Sequence, residues 1–147
     1  MATSINSKLN QYFDEKKDLG VFVLRLLLGW RLVDGTQDNV FSWSRMLEFR
    51  DFLEQHHVAY PLVAANISVY AQFLCGILYM TGFFIRPAAI IMIINFAVAL
   101  LVVHAGTTFQ QSFEALTMFF GSIFFLFYGA GKISIEHFFT GAKRSNP

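Results

Sequence analysis

Residues 63–104 read VAANISVYAQFLCGILYMTGFFIRPAAIIMIINFAVALLVVH and contain two long apolar runs joined by a short turn. The second run holds one polar residue in its interior, Asn95, and ends at His104. An α-helix needs about 20 mostly apolar residues to cross the hydrocarbon core of a membrane. We therefore predict membrane spans over Val63–Phe84 and Ala88–His104, and the short link between them makes these helices antiparallel neighbours.

Two further apolar stretches flank this pair of spans. Phe113–Ala130 is mostly apolar, and Leu19–Val33 is apolar but interrupted by Arg25 and Arg31. Four spans of this kind predict an all-α fold, an integral membrane four-helix bundle.

The connector between the first and second predicted spans is too polar to cross a membrane. Within Thr36–His57, apolar residues recur at roughly helical spacing between charged ones. This pattern predicts an amphipathic helix that lies at the membrane interface or folds back over the bundle. The chain then divides into a polar cytoplasmic N-terminal segment (1–18), a four-span domain (19–139) and a cytoplasmic tail (140–147).

The composition excludes several classes of protein. Hydrophobic residues make up 55% of the chain and charged residues 14%, whereas a typical soluble domain has about 25% charged residues. The net charge of +1 gives no basis for nucleic-acid binding. Cys75 is the only cysteine, so neither an intrachain disulfide nor CxxC redox chemistry is available.

Basic residues near the predicted span ends indicate the orientation. With four spans, both termini share one side of the membrane with the turn between spans two and three. That side holds Lys8, Lys16, Lys17, Arg86, Lys132, Lys143 and Arg144. The opposite side holds only Arg45 and Arg50. Because cytoplasmic loops carry an excess of Lys and Arg, both termini are predicted to be cytoplasmic.

Polar side chains within the predicted spans mark candidate functional positions, since they are costly in lipid. The predicted pocket at the outer leaflet consists of Arg31, Asp34, Gln72, His104 and Glu114. Arg25 lies deeper in the first span, and Asn95 lies near the middle of the third. Such a set suits an anion, a quinone carbonyl or a proton relay. The structural alternative is that these groups reach the interface or satisfy one another as pairs.

Other chemistries lack their residues in this chain. A haem held by the bundle requires histidines on facing helices, and His104 is the only candidate within the spans. The HExxH, GxSxG and phosphate-binding Gly-rich motifs are absent. Two pairs of glycines spaced six residues apart, Gly29 with Gly35 and Gly76 with Gly82, predict close helix packing rather than a site.

Four stretches carry a family resemblance in their order and spacing. They are RLLLGWRLVDG at 25–35, QFLCG at 72–76 with GFFIRPAA at 82–89, Val103-His104, and Glu114 followed by GAGKISIE at 129–136. Together they resemble the DoxX family of small four-span membrane proteins, over residues 19–139. In many members the position of Gln72 is Glu. The amide here can form hydrogen bonds but cannot shuttle a proton.

The resemblance implies a function by analogy. The family takes its name from a subunit of a thiosulfate:quinone oxidoreductase, and other members are similar to partners in membrane-bound redox-defence assemblies. It therefore implies a subunit of a quinone-linked oxidoreductase in a bacterial inner membrane. Quinone is then the expected cofactor, with none bound covalently, and the expected partners are the bilayer, a redox protein and further copies of the chain.

The leading hypothesis assigns a role to each residue of the predicted pocket. Arg31 binds the negative charge of a quinone or small anionic reductant, and Asp34 orients Arg31. His104 and Glu114 exchange protons as the quinone is reduced. Electrons come from a partner protein or directly from the substrate, because the chain carries no recognisable redox site.

Two other hypotheses remain open from the sequence. The first is a non-enzymatic module that binds or transports a small molecule, or an assembly factor for another membrane protein. The second is that the polar residues are structural and the exposed connector is a docking surface.

Overall fold

The computed structural model describes residues 2–103 and 105–144, with side chains described for residues 10–103 and 105–139. Every regular element in these ranges is a helix. In chain order they are α1 (Ala2–Asp34), α2 (Gln37–Phe41), α3 (Trp43–Gln55), α4 (Pro61–Thr81), α5 (Ile85–Val102), α6 (Phe109–Tyr128) and α7 (Ile135–Arg144). The all-α prediction is therefore confirmed for the described part of the chain.

Three of the described helices, α4, α5 and α6, are long and apolar enough to cross a membrane. They coincide with the second, third and fourth predicted spans, with bounds that differ by a few residues. α4 ends before Phe84 because Gly82 and Phe84 both have left-handed backbone, with φ of 71° and 49°. These two residues stop α4 and turn the chain directly into α5.

The first helix is longer than the predicted first span. The sequence predicts a polar segment followed by a span from Leu19, whereas α1 runs without a break from Ala2 to Asp34. Neither Gly nor Pro occurs before Gly20, so no residue in the polar segment interrupts the helix. α1 is not among the three apolar helices because Arg25 and Arg31 interrupt its apolar part.

The connector forms two helices, and not the single helix predicted for it. α2 and α3 are separated at Ser42, whose backbone is extended. Met46 and Leu53 of α3 are buried in one cluster with Ala65 and Val69 of α4. The connector therefore folds back onto α4, which is one of the two positions predicted for it.

α1 and α4 approach each other closely where two glycines meet. A Cβ placed on Gly29 would lie 2.7 Å from the carbonyl oxygen of Gly76, and one on Gly76 would lie 2.8 Å from that of Gly29. Only residues without a side chain allow two helix backbones to come this near. The predicted packing role is thereby confirmed for Gly29 and Gly76, whereas an added Cβ at Gly35 or Gly82 would meet an arginine side chain instead.

α4 is the central helix of the bundle, in contact with α1, α3 and α5. It also reaches α6 through Tyr79, whose hydroxyl donates a hydrogen bond to Ser122 Oγ at 2.8 Å. The ring of Tyr79 packs edge-to-face on Phe125 at 4.9 Å. α5 completes this core with small, fully buried side chains at Ala88 and Ala89.

The Gly29–Gly76 contact predicts that a single methyl group destabilises the fold. We expect Gly29→Ala and Gly76→Ala each to lower the free energy of unfolding by about 1–3 kcal/mol, because the added Cβ overlaps backbone atoms. The measurement is thermal unfolding of the purified protein in mild detergent.

Gly20→Ala is the matched control for this prediction. Gly20 lies in the same helix as Gly29, with nothing within 4 Å of an added Cβ. Its substitution should be neutral or stabilising by up to about 1 kcal/mol, as Ala favours helices over Gly. Equal melting temperatures for all three variants would contradict the close approach of α1 and α4.

Candidate functional site

Three residues of the predicted pocket form an ion-pair cluster between α1 and α6. Arg31 Nη2 lies 2.6 Å from Glu114 Oε1, and Arg31 Nη1 lies 3.9 Å from Asp34 Oδ2. One guanidinium and two carboxylates give this cluster a net charge of −1. The two carboxylates thus already compensate the charge of Arg31, and the excess negative charge disfavours binding of an anionic ligand.

Gln72 and Asn95 line a different place, an apolar cavity between α3, α4 and α5. Its volume is about 510 Å³, which is within the range of small-molecule sites. The connector contributes Phe49, Phe52 and Leu53 to the wall, and Val58 follows it. The residues contributed by α4 and α5 are Ala64, Ile67, Ser68, Ala71, Gln72, Ile91, Ile94, Asn95, Phe96, Val98, Ala99 and Val102. Arg31, Asp34 and Glu114 do not line this cavity.

A short chain of hydrogen bonds supplies the polar groups of this cavity. Gln72 Nε2 donates to Ser68 Oγ at 2.9 Å, and Ser68 Oγ donates to Asn95 Oδ1 at 2.8 Å. These bonds leave Gln72 Oε1 and Asn95 Nδ2 without a further hydrogen-bond partner among the described residues. One acceptor and one donor group are therefore available to a ligand.

The outer edge of the cavity is apolar and open. Ile67 of α4 and Ile91 and Ile94 of α5 line it and are exposed. In a chain with spans at α4 and α5, such residues face lipid. An apolar ligand can therefore reach the cavity sideways from the bilayer.

Arg25 lies apart from both groups, where it binds backbone and not a ligand pocket. Its side chain is fully buried. Nη1 donates to the carbonyl of Ala130 at 2.7 Å, and Nη2 donates to that of Ile133 at 2.6 Å. Nε has no partner among the described residues. These carbonyls follow the C-terminal end of α6, where backbone oxygens lack helical partners.

A second residue of α1 holds the same segment. Asp18 Oδ1 accepts hydrogen bonds from the backbone N–H of Lys132 at 3.1 Å and from the hydroxyl of Tyr128 at 3.2 Å. Gly82 lies against Arg25, because a Cβ there would overlap Nη1. Arg25 and Asp18 together fasten α1 to the segment after α6 and to the turn between α4 and α5.

His104 lies outside the described residues, so its predicted proton role stays a prediction. Its neighbour Val103 lines the cavity. Among the described residues, no group of three or more His, Cys, Asp or Glu side chains is placed to hold a metal ion.

The sequence prediction missed Ser68 and the aromatic wall from α3. Ser68 precedes Gln72 by four residues, so both lie on one face of α4, and this spacing is a usable signal. The contribution of Phe49 and Phe52 carries no such signal. It depends on how the connector folds back onto α4.

Comparison with known proteins supports a family assignment. Residues 20–105 match the family model described as DoxX. The match covers more than half of the 147 residues and includes the connector, α4 and α5. No curated protein and no solved structure matches the chain.

The contacts of Arg25 predict a structural phenotype. We expect Arg25→Met to lower the free energy of unfolding by about 3 kcal/mol or more, since it removes two hydrogen bonds from a charged donor at about 1.5–3 kcal/mol each. Lys17→Met, an exposed change in the same helix, is the control and should leave stability unchanged. Thermal unfolding in detergent measures both. An Arg25→Met protein as stable as the wild type would return Arg25 to the ligand-binding role predicted from the sequence.

Proposed function

The chain belongs to the DoxX family of membrane proteins, and from this premise we propose that it is a four-span subunit of a quinone-linked oxidoreductase. The quinone ring binds in the cavity between α3, α4 and α5. The observation that carries this proposal is an apolar cavity of about 510 Å³. Among the described residues that line it, the polar side chains are Ser68, Gln72 and Asn95, which lie together.

The proposed fourth span is the apolar part of α1, from Leu19 onward. Val21, Leu28 and Leu32 belong to the same buried core as residues of α4, α5 and α6. The charges that lower the hydropathy of α1 have partners in the protein, because Arg25 is buried against backbone carbonyls and the partly exposed Arg31 is paired with Glu114. The excess of basic residues on one side supports cytoplasmic termini.

Hydrogen-bonding groups in the cavity suit a quinone ring. Asn95 Nδ2 donates to a quinone carbonyl, and Gln72 Oε1 accepts from the hydroxyl of the reduced quinol. The isoprenoid tail leaves the cavity between Ile67, Ile91 and Ile94 into lipid. The net charge of −1 on the Arg31 cluster supports a neutral quinone over a small anionic reductant.

Reduction of a quinone to a quinol takes two electrons and two protons. Neutral amides supply neither, so the electrons come from a redox partner protein. Glu114 is paired with Arg31 and does not line the cavity. His104, which follows Val103 of the cavity wall, is the remaining candidate proton donor among the residues predicted from the sequence.

The quinone proposal predicts that removing the amides weakens binding. We expect Gln72→Leu and Asn95→Leu each to raise the dissociation constant of a short-tail benzoquinone about tenfold, the equivalent of one lost hydrogen bond of about 1.4 kcal/mol. Titration of the protein in nanodiscs, followed by intrinsic tryptophan fluorescence, measures this constant.

Two further variants make this test specific. Gln110→Leu changes the same functional group at an exposed position outside the cavity, so it should bind like the wild type. Ala99→Phe narrows the cavity by steric bulk and leaves both amides in the sequence, and it should abolish binding. Wild-type affinity in Ala99→Phe, Gln72→Leu and Asn95→Leu would overturn the cavity as the quinone site.

The second candidate function is a non-enzymatic module that binds or transports a small molecule. The lateral opening and apolar wall of the cavity favour it, since they suit any lipophilic ligand. Mass spectrometry of the protein purified from native membranes separates the two. A stoichiometric redox protein with retained quinone supports the oxidoreductase subunit, whereas a lone protein retaining another lipophilic molecule supports the binding module.

A further inference from the structure

The C-terminal helix α7 has an apolar face that the described protein does not cover. Ile135, Phe138 and Phe139 follow the i, i+3, i+4 spacing of one helix face. Their exposed fractions are 42%, 74% and 60%. The three side chains form what we call the α7 apolar face.

α7 begins at the level where the apolar helices end. The backbone N–H of Glu136 donates to the carbonyl of Gly82, the residue that ends α4, at 3.3 Å. Arg25 holds Ile133 and Asp18 holds Lys132, as described above. Since α4 and α6 are candidate spans, their ends mark the boundary of the hydrocarbon region. The first turn of α7 is therefore fastened at the membrane surface.

The length of α7 excludes a further span. Its 10 residues rise about 15 Å as an α-helix, whereas the hydrocarbon core is about 30 Å thick. A short helix that starts at the membrane boundary and carries two exposed phenylalanines can bury them only in the interfacial region of the bilayer or against another protein.

The charge near α7 favours the bilayer as the occupant of this face. Between Lys132 and Arg144 the sequence has three basic residues, Lys132, Lys143 and Arg144, and one acidic residue, Glu136. Arg86, in the first turn of α5 at the same end of the bundle, is also exposed. Basic residues beside an exposed aromatic face are typical of helices that bind membranes with anionic lipids.

We propose that α7 is an interfacial helix whose apolar face inserts into the lipid and whose basic residues bind the phosphates of anionic lipid headgroups. The helix lies parallel to the membrane surface and anchors the cytoplasmic end of the bundle there. This role is independent of the proposed quinone site, which involves α3, α4 and α5.

Depth measurements by spin labelling test the insertion. In a Cys75→Ala background, spin labels are placed through Phe139→Cys on the apolar face, His137→Cys on the opposite side of α7, and Phe127→Cys on α6 as a lipid-facing reference. The full-length protein is reconstituted in vesicles of phosphatidylcholine with phosphatidylglycerol. Accessibility to oxygen, which partitions into lipid, is compared with accessibility to a water-soluble nickel chelate.

The expected result is a label at position 139 that behaves like the one at 127, roughly 5–10 Å below the headgroups. The label at 137 should be open to the nickel chelate. Two results would overturn the proposal. One is a label at 139 as open to nickel as that at 137, and the other is a label at 139 shielded from both reagents, which would indicate a protein partner or a second copy of the chain.

The electrostatic part has its own test. Lys143→Gln and Arg144→Gln should each lower the ratio of lipid-inserted to water-exposed label at position 139 about fivefold in the anionic vesicles. In pure phosphatidylcholine they should have no effect. Lys16→Gln with Lys17→Gln, which removes charge on the same predicted side of the membrane but from α1 and not from α7, is the control. Equal insertion in both vesicle types for the wild type would exclude recognition of anionic headgroups.

Discussion

The buried guanidinium of Arg25 organises one end of this bundle through its hydrogen bonds to backbone carbonyls. Arg25 lies inside the protein, where an uncompensated charge is expensive, and its two Nη groups donate to the carbonyls of Ala130 and Ile133. Those carbonyls are available because the chain leaves α6 there through glycines with positive φ. The same guanidinium occupies the space beside Gly82 that a side chain would need. One interaction thereby joins α1, the α4–α5 turn and the segment that leads into α7.

The other polar residues within the bundle serve separate purposes because they point to separate neighbours. Arg31 joins α1 to α6 through Glu114, and the pair cancels charge close to the apolar helices. Gln72 and Asn95 meet through Ser68 between α4 and α5 and leave hydrogen-bonding capacity inside an apolar cavity. A ligand there can be oriented by one donor and one acceptor and held mainly by burial of its apolar surface, and the proposed quinone site uses both groups.

The two amphipathic segments of the chain differ in what covers their apolar faces. Met46 and Leu53 of α3 are buried against α4, so α3 acts as a wall of the cavity. Phe138 and Phe139 of α7 are left exposed by the protein. The difference follows from attachment: α3 packs against α4, whereas the hydrogen bond described between α7 and the α4–α5 turn lies at the first turn of α7.

The sequence by itself determined the helical class, the positions of the three apolar helices and the packing role of Gly29 and Gly76, because these depend on run length and residue size along the chain. Even there, the observed end of α4 differs from the predicted one by a few residues because of Gly82 and Phe84. The connector has two helices separated at Ser42, where one was predicted. Only the tertiary structure decided what each polar side chain binds. Arg25 finds its partners more than 100 residues away, and Asn95 meets Ser68 across two helices. Successive residues of an α-helix point about 100° apart around its axis. The rotation and depth at which two helices pack therefore decide which side chains meet. Local hydropathy determines neither quantity.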